Sequence, residues 1–461
     1  MFAKTYDAFA EKVGSGRRSR QGGRRPLHGV ALEPAWRAMS AAPMVLAREV
    51  RGADATTRRE QHTFRGNLAS TRHGWLRLTP AYSVRLVREL LATGAARTPV
   101  LDPFCGTGTT LLTCSERGMD CDTVDINPFL IWLAGAKVDG YPRETLDEAR
   151  GGLARMRRAV ARSATLAWVP PLHQIEKWWS PGTLAALSRA HRALSRFAEG
   201  ASAPAVNLLR VTFCQVLIRA SRADFGHQSM SFQPAAEHAN PAPAEDALAI
   251  ADGLRDAFER VAGAAAVPLP PSRRRALYAD ARRLHETLPR SHYGLVVTSP
   301  PYVNRMSYIR ELRPYMYWLA YLENRTAAGV LDWQAIGGTW GSATSNLASW
   351  RPEPVAGALP AALAPLLEAI AKSSPLLSTY VHKYFHDMAL HLASLARVMR
   401  RGGLACFVVG NSKFYDVVVP AEQLLAEQFE AAGFRRVGVE TLRKRSSKKE
   451  LFEYLIRAER A

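Results

Sequence analysis

The 461-residue sequence predicts an α/β protein: a doubly wound, mostly parallel sheet with an inserted helical domain and a C-terminal antiparallel hairpin. Three observations carry this. A strand, a Gly-rich loop, a helix and a second strand follow one another between residues 98 and 125. Residues 141–271 then turn helical in pattern, with Ala, Leu and Arg at three-to-four spacing, as in Leu184-Ala185-Ala186-Leu187-Ser188-Arg189. Strand-like runs return at 276–278, 295–298 and 404–409, and paired runs at 435–442 and 451–457 flank a basic turn.

The elements follow in chain order. Residues 1–64 read as a flexible basic arm, because stretches such as 14–26 (GSGRRSRQGGRRP) have almost nothing to bury. The first part of the main domain is expected over 65–140, with order beginning near Arg72. Its strand at 98–101 leads through the loop into a helix at 110–117, which Gly118 suits as a C-terminal cap. A strand at 122–125 precedes Asn127-Pro128, a helix start running toward Val138. The helical stretch at 141–271 is punctuated by Pro170-Pro171, Pro204 and the prolines of 234–243. The second part of the main domain is expected over 272–461. Within it, the polar, aromatic and Gly-rich segment 323–354 is too long for a plain connection, which leaves a functional loop or disorder. A helix at 377–400 should stop at Arg401-Gly402-Gly403, and another at 421–432 should precede the hairpin.

Charge narrows the partners. The formal net charge is +20, from 61 Lys plus Arg against 41 Asp plus Glu, which favours a polyanion such as nucleic acid. There is no apolar run of about twenty residues and no long basic amphipathic stripe, so a membrane partner is not expected. The five cysteines, at 105, 114, 121, 214 and 406, form no C-x-x-C pair, and His382 and His386 lack a nearby Glu, so no metal is expected. The odd cysteine count and the absence of an apolar stretch in residues 1–13 fit a cytoplasmic protein.

The loop Asp102-Pro103-Phe104-Cys105-Gly106-Thr107-Gly108-Thr109 ends the first strand. Gly106 and Gly108 allow positive φ and close approach of a ligand. In open α/β sheets ligands bind beyond the carboxyl ends of strands. There Asp102 suits a cationic amino group, and Asp125, ending the next strand ahead of Ile126 and Asn127, suits two ribose hydroxyls. Asp280, followed by Ala281, is placed to accept from an adenine amine. S-adenosyl-L-methionine combines an ammonium, a ribose and an adenine. The dinucleotide pattern G-x-G-x-x-G fails because Leu111 stands at its third glycine, and the phosphate-loop pattern fails because no lysine follows Gly108.

Ser299-Pro300-Pro301-Tyr302 follows the apolar run Leu295-Val296-Val297-Thr298. A stiff Pro-Pro corner with a hydroxyl before it and an aromatic ring after it suits a flat ring bearing an amino group. That amine is a poor nucleophile, because its lone pair is delocalised into the ring. The Ser299 hydroxyl and the Pro300 carbonyl, as acceptors around it, draw it toward tetrahedral geometry, and Tyr302 stacks on the ring. Pre-organised dipoles then supply much of the barrier reduction. The base must leave the duplex to enter such a corner. Cytosine C5 chemistry is disfavoured, since no cysteine here follows a proline.

These motifs resemble those of bacterial site-specific DNA amino-methyltransferases of the restriction–modification type. D-P-F-C-G-T-G-T looks like their cofactor motif, and T-S-P-P-Y like their catalytic motif in its cytosine-N4 form. Adenine-N6 members more often carry Asp or Asn where Ser299 stands. Asp125-Ile126-Asn127-Pro128 and Asp280-Ala281 look like their ribose and adenine contacts. Pro80, Ala81 and Tyr82 resemble part of the segment that holds the methionine end of the cofactor. Ile175-Glu176-Lys177-Trp178-Trp179-Ser180-Pro181, Asn304-Arg305-Met306 and Lys444-Arg445-Ser446-Ser447 are similar to a solitary subfamily. The resemblance covers roughly residues 65–460. It implies a Rossmann-like S-adenosylmethionine-dependent methyltransferase acting on double-stranded DNA, nucleoid-associated, with room for a cognate restriction endonuclease. Adenine-N6 methylation of DNA and base amino-methylation of RNA are the alternatives. Three regions compete to contact DNA: the helical stretch with Arg219, Arg222 and Arg273-Arg274-Arg275; the segment with Arg325, Trp333, Gly337, Gly338 and Trp350; and the C-terminal turn with Arg443, Lys444, Arg445, Lys448 and Lys449. Trp178-Trp179 reads as core packing before base stacking.

Overall fold

A computed structural model describes residues 66–67, 71–78, 82–162, 168–224, 231–232, 243–304, 307, 309–338, 342–354, 359–445 and 450–461. All of them fall in one compact unit, Glu49–Ala461. The basic arm expected over residues 1–64, Pro80 and Ala81 lie outside the described residues.

The strands, in chain order, are β1 (Val100–Asp102), β2 (Cys121–Asp125), β3 (Ala223–Asp224), β4 (Ser231–Phe232), β5 (Arg274–Tyr278), β6 (Tyr293–Thr298), β7 (Met399–Gly410), β8 (Ser412–Phe414), β9 (Val417–Val419), β10 (Phe434–Lys444) and β11 (Phe452–Arg460). Seven of them form one sheet in the order β10-β11-β7-β6-β1-β2-β5. The pairs from β7 to β5 are parallel, whereas β11 runs antiparallel to both β7 and β10. The doubly wound sheet and its closing hairpin are therefore as the sequence predicts.

Connectivity places the site. From β1 the chain steps outward to β2 and β5, then returns to the other side of β1 as β6. The winding reverses between β1 and β6, where the carboxyl ends of two parallel strands diverge and leave a crevice. β6 forms because Leu295, Val296 and Val297 are covered on both faces, as parallel sheets require. Leu295 and Val297 pack into one core, Tyr293 and Val296 into the opposite one. Each such burial contributes about 1.5–3 kcal/mol.

The helices Arg143–Arg162, Pro181–Ala198, Ala203–Arg219 and Pro243–Ala265 occupy the stretch read as an insertion. They share one apolar core with the helix Pro128–Val138 and with Ile309, Tyr315 and Trp318, downstream of β6. Trp178 and Trp179 are buried there, and the Trp179 indole donates to Leu217 O at 3.0 Å.

Two expectations change. The segment 323–354 contains two helices, Arg325–Gln334 and Ser342–Ser349, the first capped by Asn324, whose side chain accepts from Ala327 N. Its Trp and Gly content hid short helices that tertiary packing stabilises. The long helix runs Pro375–Val398 and β7 begins at Met399, so Gly402-Gly403 lies within a strand. A register shift between Tyr293 and Leu295 accommodates these residues against β6, and Gly402 takes φ 72°. No helix of the described residues is long and apolar enough to cross a membrane.

Candidate functional site

The two motifs meet. Asp102 ends β1 and Thr298 ends β6, and the Thr298 hydroxyl donates to Asp102 Oδ1 at 2.6 Å. Thr110, opening the helix Thr109–Glu116, donates to Val297 O at 3.2 Å. The Tyr82 hydroxyl pairs with the Thr110 hydroxyl and lies 3.3 Å from Val297 O, so Tyr82 joins both motifs.

Asp102 is fully buried. Oδ1 accepts from Phe104 N at 3.1 Å as well as from Thr298, while Oδ2 has no partner. Burial pushes its pKa up to about 7, against those bonds. A buried carboxylate with one unused oxygen is a seat for a cation. Gly106 and Gly108 both hold positive φ, 48° and 75°. A Cβ on Gly108 would lie 2.9 Å from the Ala134 methyl, so this turn must pass close over the helix Pro128–Val138. Pro103 and Cys105 are buried within the turn, and Phe104 and Gly106 are half-buried. Thr109 bonds to the Thr107 hydroxyl at 2.9 Å.

Asp125 stitches the loop to β2. Oδ2 accepts from Gly106 N at 3.1 Å and Oδ1 from Asn127 N at 2.9 Å. Desolvation pushes its pKa up to about 6, opposed by backbone N–H groups including that of Ile126. Each carboxylate oxygen keeps a further lone pair, and the residue is half-buried, so acceptor capacity for hydroxyls remains. The Asn127 side chain caps the following helix through Phe129 N.

Asp280 lies just beyond β5 as expected, but its carboxylate is engaged. It accepts from Arg282 N at 2.9 Å and forms an ion pair with the Arg282 guanidinium at 2.7 Å. Arg282 also reaches Asp387 on the long helix. Asp280 therefore shapes this end of the crevice, with its carboxylate committed to Arg282.

At the second corner, the Ser299 hydroxyl donates to Val408 O at 3.0 Å, which commits its proton to β7 and leaves its lone pairs as acceptors. Pro300 is buried, and the Pro301 carbonyl accepts from the Tyr384 hydroxyl at 2.8 Å. The Tyr302 hydroxyl donates to Glu453 Oε1 at 2.9 Å, across to β11. Burial, then the Glu453 carboxylate, pushes the Tyr302 phenol well above its ordinary pKa, so it stays a neutral donor. The Arg445 guanidinium lies over the Tyr302 ring, 5.0 Å from its centroid.

Several supporting residues gave no signal in the sequence. Lys137 is buried and donates to Thr107 O at 2.9 Å from behind the loop, and burial lowers its pKa to about 8. His391 donates to Ala281 O at 2.8 Å and packs edge-on against Phe104; burial lowers its pKa to about 4 and keeps it neutral. Arg72 accompanies the segment read as touching the cofactor, yet its guanidinium is buried against helix ends, donating to Lys137 O at 3.0 Å and Ala265 O at 2.7 Å. Arg273 and Arg275 both grip the buried Asp122 near the amino ends of the strands, at 2.8 and 2.7 Å. Both side chains are nonetheless more than a third exposed. Among the described residues no His, Cys, Asp and Glu group could hold a metal.

The fold defines a Rossmann-like α/β protein with a crevice at its switch point. No protein-family model matches the chain. Over 68 residues it is 32% identical to the Type II methyltransferase M.AvaI of Nostoc sp., covering 14% of each chain. The protein of the same name from Anabaena variabilis matches equally. The match thus spans about 14% of the length of these curated relatives. Among solved structures, the rRNA methyltransferase aviRa from Streptomyces viridochromogenes aligns over 82% of this chain and 86% of its own at 15% identity, with a TM-score of 0.23, too distant to bear on function.

Proposed function

We propose that this chain is an S-adenosyl-L-methionine-dependent methyltransferase that modifies the exocyclic amine of a base extruded from double-stranded DNA, at cytosine N4. The observation that supports this most is the Thr298–Asp102 bond of 2.6 Å, which brings the two motif corners together at the switch point. The short similarity to Type II methyltransferases agrees with it.

The crevice fits the cofactor. The unpaired, buried Asp102 Oδ2 would take the ammonium, and Gly106 and Gly108 let the backbone close over it. Pro103, Phe104, Cys105 and Thr109 complete that turn. Asp125, Ile126 and Asn127 would face the ribose, Ala281 the adenine, and Tyr82 the methionine end. When bound, the cofactor supplies a methyl group on a positively charged sulfur.

The rest is this chain's own work. Ser299, its proton held by Val408 O, offers lone pairs to an amine N–H. Pro300 offers its carbonyl, and the two fixed proline φ angles hold both acceptors in place. Neutral Tyr302 provides the ring on which the base lies. Extrusion costs a few kcal/mol, and aromatic stacking returns about 1–3 kcal/mol of it. The net charge of +20 draws the phosphate backbone in.

The test is incubation of the purified protein with methyl-labelled cofactor and, separately, plasmid DNA, unmodified bacterial genomic DNA and total RNA, followed by digestion to nucleosides. Label is expected in N4-methyldeoxycytidine. Label in N6-methyldeoxyadenosine would replace the base assignment, and label confined to RNA would replace the substrate. No transfer to any of them would overturn the proposal.

A further inference from the structure

The catalytic corner is held from a distance by the C-terminal hairpin. Asn411, immediately after β7, holds the start of β11 and the turn before it: its side chain accepts from Phe452 N at 2.9 Å and donates to Glu450 O at 2.8 Å. Its carbonyl accepts from Arg445 Nη1 at 2.7 Å. Arg445 N also donates to Leu451 O at 2.9 Å, so Arg445 is fixed at both backbone and guanidinium. From that position the guanidinium covers the Tyr302 ring. Gly410 backs the same assembly: a Cβ there would meet the Arg445 guanidinium and lie 2.8 and 2.9 Å from two Tyr302 ring carbons. Glu453 is buried, with one oxygen taking the Tyr302 hydroxyl at 2.9 Å and the other taking Arg443 Nε at 2.7 Å.

Tyr302 is thus gripped at its hydroxyl, one edge and one face. A ring meant only to fill core would not need a buried carboxylate and a buttressed cation. A ring meant to receive a base gains from such fixing, because immobilising a side chain on binding otherwise costs conformational entropy. A planar guanidinium can lie flat on an aromatic face, whereas an ammonium approaches it as a point charge.

We infer that Arg445 and Glu453 are positioning residues for the base pocket: together they lock Tyr302 from the C-terminal hairpin, so that one ring face is already occupied and an extruded base is directed to the opposite face. This rests on the methyltransferase reading of the same corner. The hairpin's basic turn then serves to orient the catalytic motif, beyond the neutralisation of phosphates expected of exposed arginines.

The test is steady-state methyl transfer to DNA by wild type, Arg445→Ala, Arg445→Lys and Glu453→Gln, with cofactor affinity and thermal midpoint measured in parallel. Arg445→Ala should lower kcat about 10- to 100-fold, matching ~1.4–2.7 kcal/mol, with cofactor affinity unchanged. Arg445→Lys should recover only a minor part of that loss, because charge alone does not lie flat on the ring. Glu453→Gln keeps an acceptor for Tyr302 and should lose about 3- to 10-fold, again in kcat. Unchanged kcat in both Arg445→Ala and Glu453→Gln overturns this inference while leaving the methyltransferase reading intact. So does full rescue by lysine, or a loss confined to the KM for DNA, since either would reduce Arg445 to a phosphate contact. If Arg445→Ala fails to fold, Glu453→Gln decides alone. Absence of transfer by wild type overturns the underlying reading, and this inference with it.

Discussion

The two corners of the crevice are built in opposite ways. The loop after β1 is mostly held by its own neighbourhood: Asp102 binds Phe104 N, Asp125 binds Gly106 N and Asn127 N, and Gly108 rests on Ala134 of the helix Pro128–Val138. The corner after β6 is held almost wholly by residues 83 to 151 positions away: Tyr384, Val408 and Glu453. A cofactor always presents the same groups, so a short local loop can be shaped to it. In the proposed reading an extruded base would arrive with a much larger partner, and this corner is braced from β7, β11 and the long helix. The Thr298–Asp102 bond is where the two designs join.

The largest effect should come from Asp102→Asn. Removing one charge from a buried pair costs about 2–5 kcal/mol, so cofactor affinity should fall roughly 30-fold or more, measured by calorimetry. The comparison predicts that DNA binding is spared; equal loss of both would break it. The pH dependence sharpens the point. Ionised Asp102 is needed for a cation, and its pKa in the protein is raised to about 7. Cofactor affinity should therefore rise as pH goes from 6 to 8, and Asp102→Asn should abolish that rise. Because the folded-state pKa lies above that of the unfolded chain, this residue's contribution to stability is greatest at low pH and is lost as pH climbs through about 7.

Tyr302→Ala comes next. Loss of base stacking, about 1–3 kcal/mol, should lower kcat/KM for DNA roughly 5- to 150-fold with cofactor affinity intact. Impaired cofactor binding in this variant would mean that the corners are not separable. Gly108→Ala should destabilise the fold by about 1–3 kcal/mol, read in the thermal midpoint, because φ 75° and the 2.9 Å approach to Ala134 both oppose a side chain. The smallest change belongs to Tyr384→Phe, which removes the bond to Pro301 O. About 0.5–1.5 kcal/mol should appear in kcat, and none in cofactor affinity.

Much of the architecture is written in local patterns. The β1 loop, the cap at Asn127-Pro128 and the apolar run of β6 were legible because each depends on residues within about one turn of itself. The helices in 323–354 were not, since their stability comes from packing that no short window displays. Asp280 shows where local patterns stop. Its position beyond β5 follows from topology, but its engagement with Arg282 and, through it, Asp387 depends on the long helix.

By itself the sequence determined which backbone turns exist and which chemical groups they carry, because φ preferences, proline rings and hydrophobic periodicity act over a few residues. Only the tertiary structure decided which groups meet. The unpaired oxygen on Asp102, the buried Lys137 behind Thr107, and the Arg445–Tyr302–Glu453 assembly arise where strands distant in the chain lie side by side. Burial and electrostatics depend on distance in space, and strand order alone brings residue 302 against residues 445 and 453.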